Sequence, residues 1–416
     1  MKPLAIATMT CAVMTGAVAY GQGPQTPAPP LPRTFVMAPA TLAAVRDSVR
    51  AGSSDYAGPM AQLTRDAANA LKAGPFSVMN KPQVPPSGDK HDYMSLARYF
   101  WPDSKKPGGL PYVQRDGETN PEIDTIPDKQ QMNGMISAVS TLALTYYLTG
   151  EEPYAGKAAG LIRTWYLDPA TRMNPNLDFG QGVKGSEPGR PYGIIDTRGL
   201  AEVVDAIGLL QDSPSLTAMD HKGLIAWHSA FLDWLLTSRL GRAERAGTNN
   251  HGVWYDVQVA SMALFTGRTE VARMVLDAAR TTRIATQIEP DGSMPREVAR
   301  TTSAGYTQFN LEAFAALAAL GERAGIHGWD YATPDGRCIR QAIAFVLPFL
   351  RDGRPWPHKQ IRPFDPSTYY PLLVAAAPHY PDLKLLELAD RLGGPAARAH
   401  RANLRFGRPA SKAPLP

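Results

Sequence analysis

The chain has 416 residues, is 44% hydrophobic and 19% charged, and carries a formal net charge of +5. That excess is small and scattered, and no Lys/Arg block is interleaved with aromatics, which argues against a nucleic-acid surface. It suits capture of an anionic polymer instead. Only two cysteines occur. Cys11 lies in the leader-like N-terminus, so Cys338 has no partner for an intramolecular disulfide, and no zinc-type cysteine cluster is present. The fold must be held by an apolar core, which a chain of this length can supply.

Residues 1–19 read as a secretory signal. Lys2 is the positive n-region, Leu4 to Gly16 the short apolar region, and Ala17-Val18-Ala19 the cleavage site. Cys11 is too early and too poorly flanked for a lipoprotein cysteine. No later segment is long enough to span a membrane. The mature protein is therefore expected to be periplasmic or secreted. Residues 20–38, rich in proline, read as a linker, and residues 401–416 as a frayed tail. Residues 39–400 are left as one domain.

Along that domain helix follows helix. TLAAVRDSVRAG, AQLTRDAANALKAG, MISAVSTLALTYYLTG, AGKAAGLIRTWYL, LAEVVDAIGLL and GLIAWHSAFLDWLLTSRL come first. VQVASMALFTG, EVARMVLDAARTTRIATQI, LEAFAALAALGERAG, IRQAIAFVLPFLRDG and LKLLELADRLGG follow. Each is apolar at i, i+3, i+4 and i+7, and several end in glycine, as helix C-caps do. Strand-like alternation is nearly absent. Paired helices with short turns predict an all-α fold, an (α/α) toroid or incomplete barrel of about six to seven helix pairs. No fixed-period repeat supports a solenoid. Two long loops, one from Asp89 to Glu122 and one from Arg172 to Asp196, interrupt the rhythm, and long loops in a helical body are usually functional.

Four clusters could carry chemistry. Asn250-His251 stands at a helix start, where the dipole disfavours a protonated imidazole and favours a bound anion. A neutral imidazole is what a general base needs, and Asn250 could donate to a carboxylate. The plain alternative is a helix N-cap followed by an incidental histidine. Arg296, Arg300 and Tyr306 form the second cluster. A forked guanidinium suits a carboxylate, and a tyrosine beside cations can have its pKa lowered and shuttle a proton; the alternative is a solvated basic loop with a core tyrosine. The third cluster is Lys90, His91, Asp92 and Tyr93, mixed as in sugar-binding clefts. Adjacent His91 and Asp92 lack the spacing of a good metal site. The fourth is Gln181, Lys184, Arg190 and Tyr192 in a glycine-rich turn. Asn133, near the start of a helix, and Trp254, after His251, are further candidates to line a cleft. No nucleophile elbow, P-loop, zinc-protease or dinucleotide motif appears. A hydrolase would need a carboxylate pair; Asp92, Glu118, Glu122, Asp178 and Glu187 are available, but sequence certifies no pair among them.

Taken together, SGDKHDYMSLARYFWPD, YYLTGEEPYAGKAAGLIRTWYLDPATRMNPNLDFGQ, GRPYGIID, NNHGVWYD and DGSMPREVARTTSAGYTQFNLEAFAALA resemble the alginate lyase family of polysaccharide lyases, over roughly Ser87 to Tyr331. The resemblance implies an (α/α) toroid, here without an added β-sandwich domain. It implies β-elimination at the 1,4 bond of a polyuronate, with no metal and no cofactor. Carried over, Asn250 and Arg300 neutralise the C6 carboxylate, His251 is the base for C5–H, and Tyr306 is the acid at O4, or base and acid together on mannuronate. Arg300 is preferred to Arg296 because it stands six residues before Tyr306. Lys90, His91, Asp92, Tyr93, Asn133, Gln181, Arg190, Tyr192, Trp254 and Arg296 are expected to contact substrate.

The expected partner is thus an anionic polysaccharide, mannuronate-rich alginate first and glucuronan second. Nothing calls for nucleic acid, a membrane span or an obligate protein partner. The rival readings are a toroidal glycoside hydrolase acting on uronic-acid glycans and a non-catalytic periplasmic polysaccharide-binding protein.

Overall fold

The computed structural model describes residues 30–408. The signal-like residues 1–19, the linker residues 20–29 and the tail residues 409–416 lie outside the described residues.

Sixteen α-helices follow one another in the described residues. They are α1 (Pro39–Arg50), α2 (Ala57–Ala70), α3 (Asp128–Thr149), α4 (Glu152–Ile162), α5 (Leu200–Leu209), α6 (Ala218–Thr237), α7 (Arg239–Arg245) and α8 (Asn250–Phe265). Then come α9 (Thr269–Ala279), α10 (Ala285–Gln287), α11 (Pro295–Val298), α12 (Ser303–Ala324), α13 (Ile339–Arg351), α14 (Tyr370–Ala376), α15 (Leu385–Ala397) and α16 (Ala402–Arg405). Burial sorts them into two layers. In α8 nearly every residue from Val253 to Phe265 is buried, so this helix is covered on all sides. In α9 only Ala272, Leu276 and Ala279 are buried, one stripe at helical spacing facing inward. Helix α3 packs on α5, α5 on α8, α8 on α12 and α12 on α14, which makes an inner row. Helices α4, α6, α9, α13 and α15 back it. This is the (α/α) toroid expected from the helix rhythm. Among the described residues no helix is long and apolar enough to cross a membrane. Gly150 and Gly325, at φ 81° and 74°, end α3 and α12 as left-handed C-caps.

The helical pattern does not announce four short strands. β1 (Met94–Leu96) pairs in parallel with β4 (Phe179–Gly182), and β2 (Phe100–Trp101) is antiparallel to β3 (Val113–Gln114). At two to four residues they are too short for an alternation signal. They order the two long loops over the N-terminal ends of α8 and α12. Residues 99–118 form a strap, held by Trp101 Nε1 to the Glu118 carbonyl at 2.9 Å and by Asn120 Nδ2 to the Phe100 carbonyl at 2.8 Å.

Two expected floppy segments are packed. Within the stretch read as linker, Thr34, Phe35 and Met37 are buried. The N–H groups of Phe35, Val36 and Met37 donate to the Asp205 carboxylate of α5 at 2.6, 3.3 and 2.8 Å. Burial pushes Asp205 up to about 6 against the opposing pull of those three donors. Proline content hid this because the docking is made by backbone amides, which carry no sequence signature. Within the stretch read as tail, residues 401–408 are likewise ordered. Ala402, Asn403 and Leu404 are buried, Tyr370 donates to Asn403 at 2.8 Å, and Arg408 pairs with Asp390 at 2.6 Å.

Asp205→Ala should leave three amides without their acceptor and cost about 3 kcal/mol. Urea unfolding should show it as a lowered midpoint with an unchanged slope.

Candidate active site

The start of α8 is fixed before any ligand arrives. Asn249 is its N-cap: the side-chain oxygen accepts the His251 N–H at 3.2 Å. The capping role that could have explained away Asn250 thus belongs to its neighbour. Gly252 must be glycine, because a Cβ there would lie 2.1 Å from the Gly247 carbonyl oxygen and 2.6 Å from Arg283 Nη1. Arg283, in the π-helical turn after α9, is buried against Asp256 at 2.8 Å and donates to the carbonyls of Gly247 and Arg245, 2.7 Å each. The loop entering α8 is therefore stapled to the helix it feeds.

Asn250, expected to donate to a ligand's carboxylate, is fully buried at the start of α8. Its backbone N–H and Nδ2 donate to Glu297 at 2.7 and 2.8 Å. Its second amide N–H and its unpartnered Oδ1 are left to offer a ligand. Burial raises the Glu297 pKa, against the pull of the Asn250 bonds. His251 lies close to the opening, its side chain 15% exposed. Its Nδ1 is 2.6 Å from Glu244 Oε1, and Glu244 is buried. A carboxylate on Nδ1 fixes that nitrogen as the protonated one in the neutral ring, which bares the Nε2 lone pair.

Arg300 and Tyr306 are brought together as expected. The Arg300 guanidinium lies 3.7 Å from the Tyr306 ring centroid. Asp116, from the strap, accepts from Arg300 Nε at 3.1 Å and from Nη2, and it also accepts Thr301 N–H and Oγ1–H at 3.0 and 2.9 Å. Burial works to raise the Asp116 pKa, yet the Arg300 and Thr301 bonds win and hold it at about 2. The Tyr306 hydroxyl donates to Tyr99 at 2.9 Å. The expectation that cations lower the Tyr306 pKa is reversed: burial raises it, and Arg300 only partly offsets that. Arg296 is exposed on α11, outside this cluster.

The remaining candidates divide. Tyr192 is 48% exposed and meets His251 edge-on at 4.9 Å. Arg190 stacks on Tyr192 at 5.0 Å and on Phe100 at 4.6 Å. Contacts thus run from His251 through Tyr192 and Arg190 to Phe100, and from its chain neighbour Tyr99 to Tyr306 and Arg300. Gln181, at φ 50°, is held in the left-handed region by its N–H to Ser95 Oγ, 2.8 Å, and by Nε2 to Asp196, 3.0 Å. A non-glycine residue held there marks stored strain. Trp254 is half-buried, its ring 5.2 Å from Phe309.

Asp92 and Tyr93 are buried, contrary to expectation. Asp92 accepts from Ser87, Asn174 and Asn176, and Tyr93 donates to Asp196. Both therefore build the loop rather than line the opening. His91 Nδ1 sits 2.6 Å from the Arg172 carbonyl, and Lys90 offers its carbonyl to Lys81. Asn133 is exposed in the second turn of α3, which starts earlier than the sequence suggested. Among the described residues no group of three or more His, Cys, Asp or Glu side chains is arranged to hold a metal ion. Sequence reasoning did not single out Tyr99, Asp116, Glu244 or Glu297. Only Tyr99, inside the aromatic ARYFW run, carried a usable signal.

Two predictions follow from this geometry. Asp116 titrates below its ordinary value of 3.8, so its ties add stability above that pH and lose it as pH falls towards about 2. Hydrogen-exchange protection of residues 113–118 should persist to about pH 4 and collapse below it, whereas Asp116→Asn should show weak protection already at neutral pH. For His251, nitrogen NMR of the neutral ring should find Nδ1 protonated and Nε2 bare, and Glu244→Ala should erase that preference.

The alginate lyase family model matches residues 77–356. No curated protein matches the chain. An alginate lyase structure from Bacteroides ovatus is 37% identical, covers 90% of this chain and 99% of its own, and superposes with a TM-score of 0.86. Alginate lyase A1-III from a Sphingomonas species is 17% identical over 88% of this chain and 94% of its own, with a TM-score of 0.56. A form of A1-III complexed with a tetrasaccharide is 16% identical over 90% and 96%, at 0.58. At those identities the Sphingomonas likeness shows the toroid alone. The family model spans well over half of the sequence, and the Bacteroides structure repeats nearly all of the chain. On both grounds this chain belongs to the alginate lyase family.

Proposed function

We propose that the protein is a polysaccharide lyase that cleaves 1,4-linked polyuronates of the alginate type by β-elimination. Mannuronate-rich alginate is the first substrate and glucuronan the second. The observation that carries this reading is the Tyr306 phenol, set between the Arg300 guanidinium and the Tyr99 hydroxyl. The solved Bacteroides relative bears the name alginate lyase, and the Sphingomonas one is seen with a tetrasaccharide.

In this mechanism the sugar carboxylate seats against Arg300, whose Nη1 remains after Asp116 takes Nε and Nη2. Removing C5–H builds a dianion-like enolate, and preorganised donors at that carboxylate are worth several kcal/mol. His251 Nε2 takes the C5 proton. The C5 electron pair forms the C4=C5 bond, the C4–O4 bond breaks, and Tyr306 gives its proton to O4. The raised pKa of Tyr306 keeps the phenol protonated at neutral pH, which suits an acid. Once the proton has left, the phenolate faces Arg300 and the Tyr99 hydroxyl. On mannuronate, where Tyr306 would serve as base and acid together, Arg300 beside the ring partly offsets that burial and favours the phenolate that takes the C5 proton.

A hydrolase fits less well. Of the acids available to it, Asp92 is buried in the loop, Glu122 is bound by Tyr112 and Lys184, and Asp178 accepts from Trp234. The signal pattern of residues 1–19 supports a periplasmic or secreted location.

The mature protein, mixed separately with polymannuronate, polyguluronate and polyglucuronate, should raise the ultraviolet absorbance of a conjugated C4=C5 uronate on at least one polymer. Tyr306→Phe should cut kcat by about 10³-fold. Reducing ends without absorbance would instead mark a hydrolase, and binding without turnover a non-catalytic protein.

A further inference from the structure

One cation beside the site contacts, Arg198, has no carboxylate within ion-pair distance among the described residues. Trp254 lies three residues after His251 on α8, and Phe309 three residues after Tyr306 on α12, so each is about one helical turn beyond a proton-transfer residue on the same face. Arg198, just before α5, places its guanidinium 5.1 Å from the Phe309 ring centroid and 6.0 Å from that of Trp254. Its one hydrogen bond, Nη1 to the Ile195 carbonyl, is long at 3.4 Å. Among the described residues it forms no ion pair within 4.0 Å. The carboxylates of Asp196, Glu312 and Glu202 act on it only through space: Asp196 is bonded by Lys129, Gln181, Tyr93 and Ser95, Glu202 pairs with Arg405, and Glu312 accepts from Gln308. Burial presses the Arg198 pKa down, as expected for a cation whose desolvation is not compensated. An arginine offers five donors in a fork. Keeping most of them unused at a half-buried position is costly unless a ligand uses them.

We propose that Arg198 is a substrate-specificity residue whose guanidinium takes the carboxylate of the uronate unit next to the one being cleaved, with Trp254 and Phe309 as the apolar wall beside that sugar. This rests on the lyase reading. It deepens that reading by requiring two adjacent charged units, one carboxylate on Arg300 and the next on Arg198. A chain with neutral sugars at alternate positions would bind poorly even though its scissile unit is correct.

The test compares wild type, Arg198→Gln and Arg198→Lys on polymannuronate over a range of salt, with kinetics and calorimetric Kd in parallel. Arg198→Gln should raise KM and Kd about tenfold and lower kcat by no more than about threefold. Its log KM against log salt should flatten by about one unit, for one lost ion contact. Arg198→Lys should keep the salt slope and raise KM about threefold, because a point charge replaces a fork. Wild-type KM, Kd and salt slope in Arg198→Gln, with only a lower Tm, would overturn the proposal and leave Arg198 a packing residue. Should that variant not fold, an unchanged KM in Arg198→Lys overturns it instead. A wild type that binds the polymer without cleaving it defeats the lyase reading, while the Kd shifts still judge Arg198.

Discussion

A carboxylate holding a guanidinium over a phenol is the contact on which the rest of the site depends. Asp116 reaches Arg300 across 184 residues of sequence, and Arg300 in turn covers the Tyr306 ring. Neither partner alone would suffice. An arginine free to rotate would lose side-chain entropy on each binding event, whereas Asp116 and Thr301 fix its plane beforehand. The tie also fastens the strap: Asp116 stands two residues after β3, and Tyr99 directly precedes β2 and bonds Tyr306. Both ends of a loop with almost no apolar core are thereby secured by polar contacts to Arg300 and Tyr306. The toroid supplies the frame for this, since α8 and α12 pack side by side and both begin at the opening.

Charge elsewhere in the site is spent on position. Glu297 is buried and grips both the backbone and the side chain of Asn250, while Glu244 is buried behind His251. Buried carboxylates are expensive unless their lone pairs are used, and here both are used to orient a neighbour. Arg283 with Asp256 does the same for the loop entering α8. Breaking such a pair leaves a charge stranded, so these residues are under structural constraint even where they touch no substrate.

How much of this was legible in the sequence depends on range. The helices were, because apolar spacing is a local property: the Ala272, Leu276 and Ala279 stripe can be read from the letters. The pairing of Arg300 with Tyr306 was legible too, since six residues separate them at a helix entrance. Asn249 and Asn250 were harder, because adjacent asparagines look alike and only the backbone decides which one caps. Asp92 and Tyr93 looked like cleft residues by type, and their burial against Asn174, Asn176 and Asp196 comes from a parallel strand pair too short to announce itself. Glu244, Glu297 and Asp116 could not be found at all, since nothing local marks a carboxylate that will meet its partner through tertiary folding. The Tyr306 pKa failed for a related reason. Sequence showed the neighbouring cation, which lowers it, but not the burial, which raises it by more.

That last reversal bears on how the proposed acid and base, Tyr306 and His251, would divide their work. A catalytic pair functions when environment pushes its members towards opposite protonation states. Burial, outweighing the pull of Arg300, keeps the Tyr306 proton on, and Glu244 on Nδ1 leaves Nε2 of a neutral His251 ring open. In the proposed mechanism the first group gives a proton and the second offers a lone pair. The strap touches this balance at one point, where the Tyr99 hydroxyl accepts the Tyr306 O–H and so adds to the raising of its pKa.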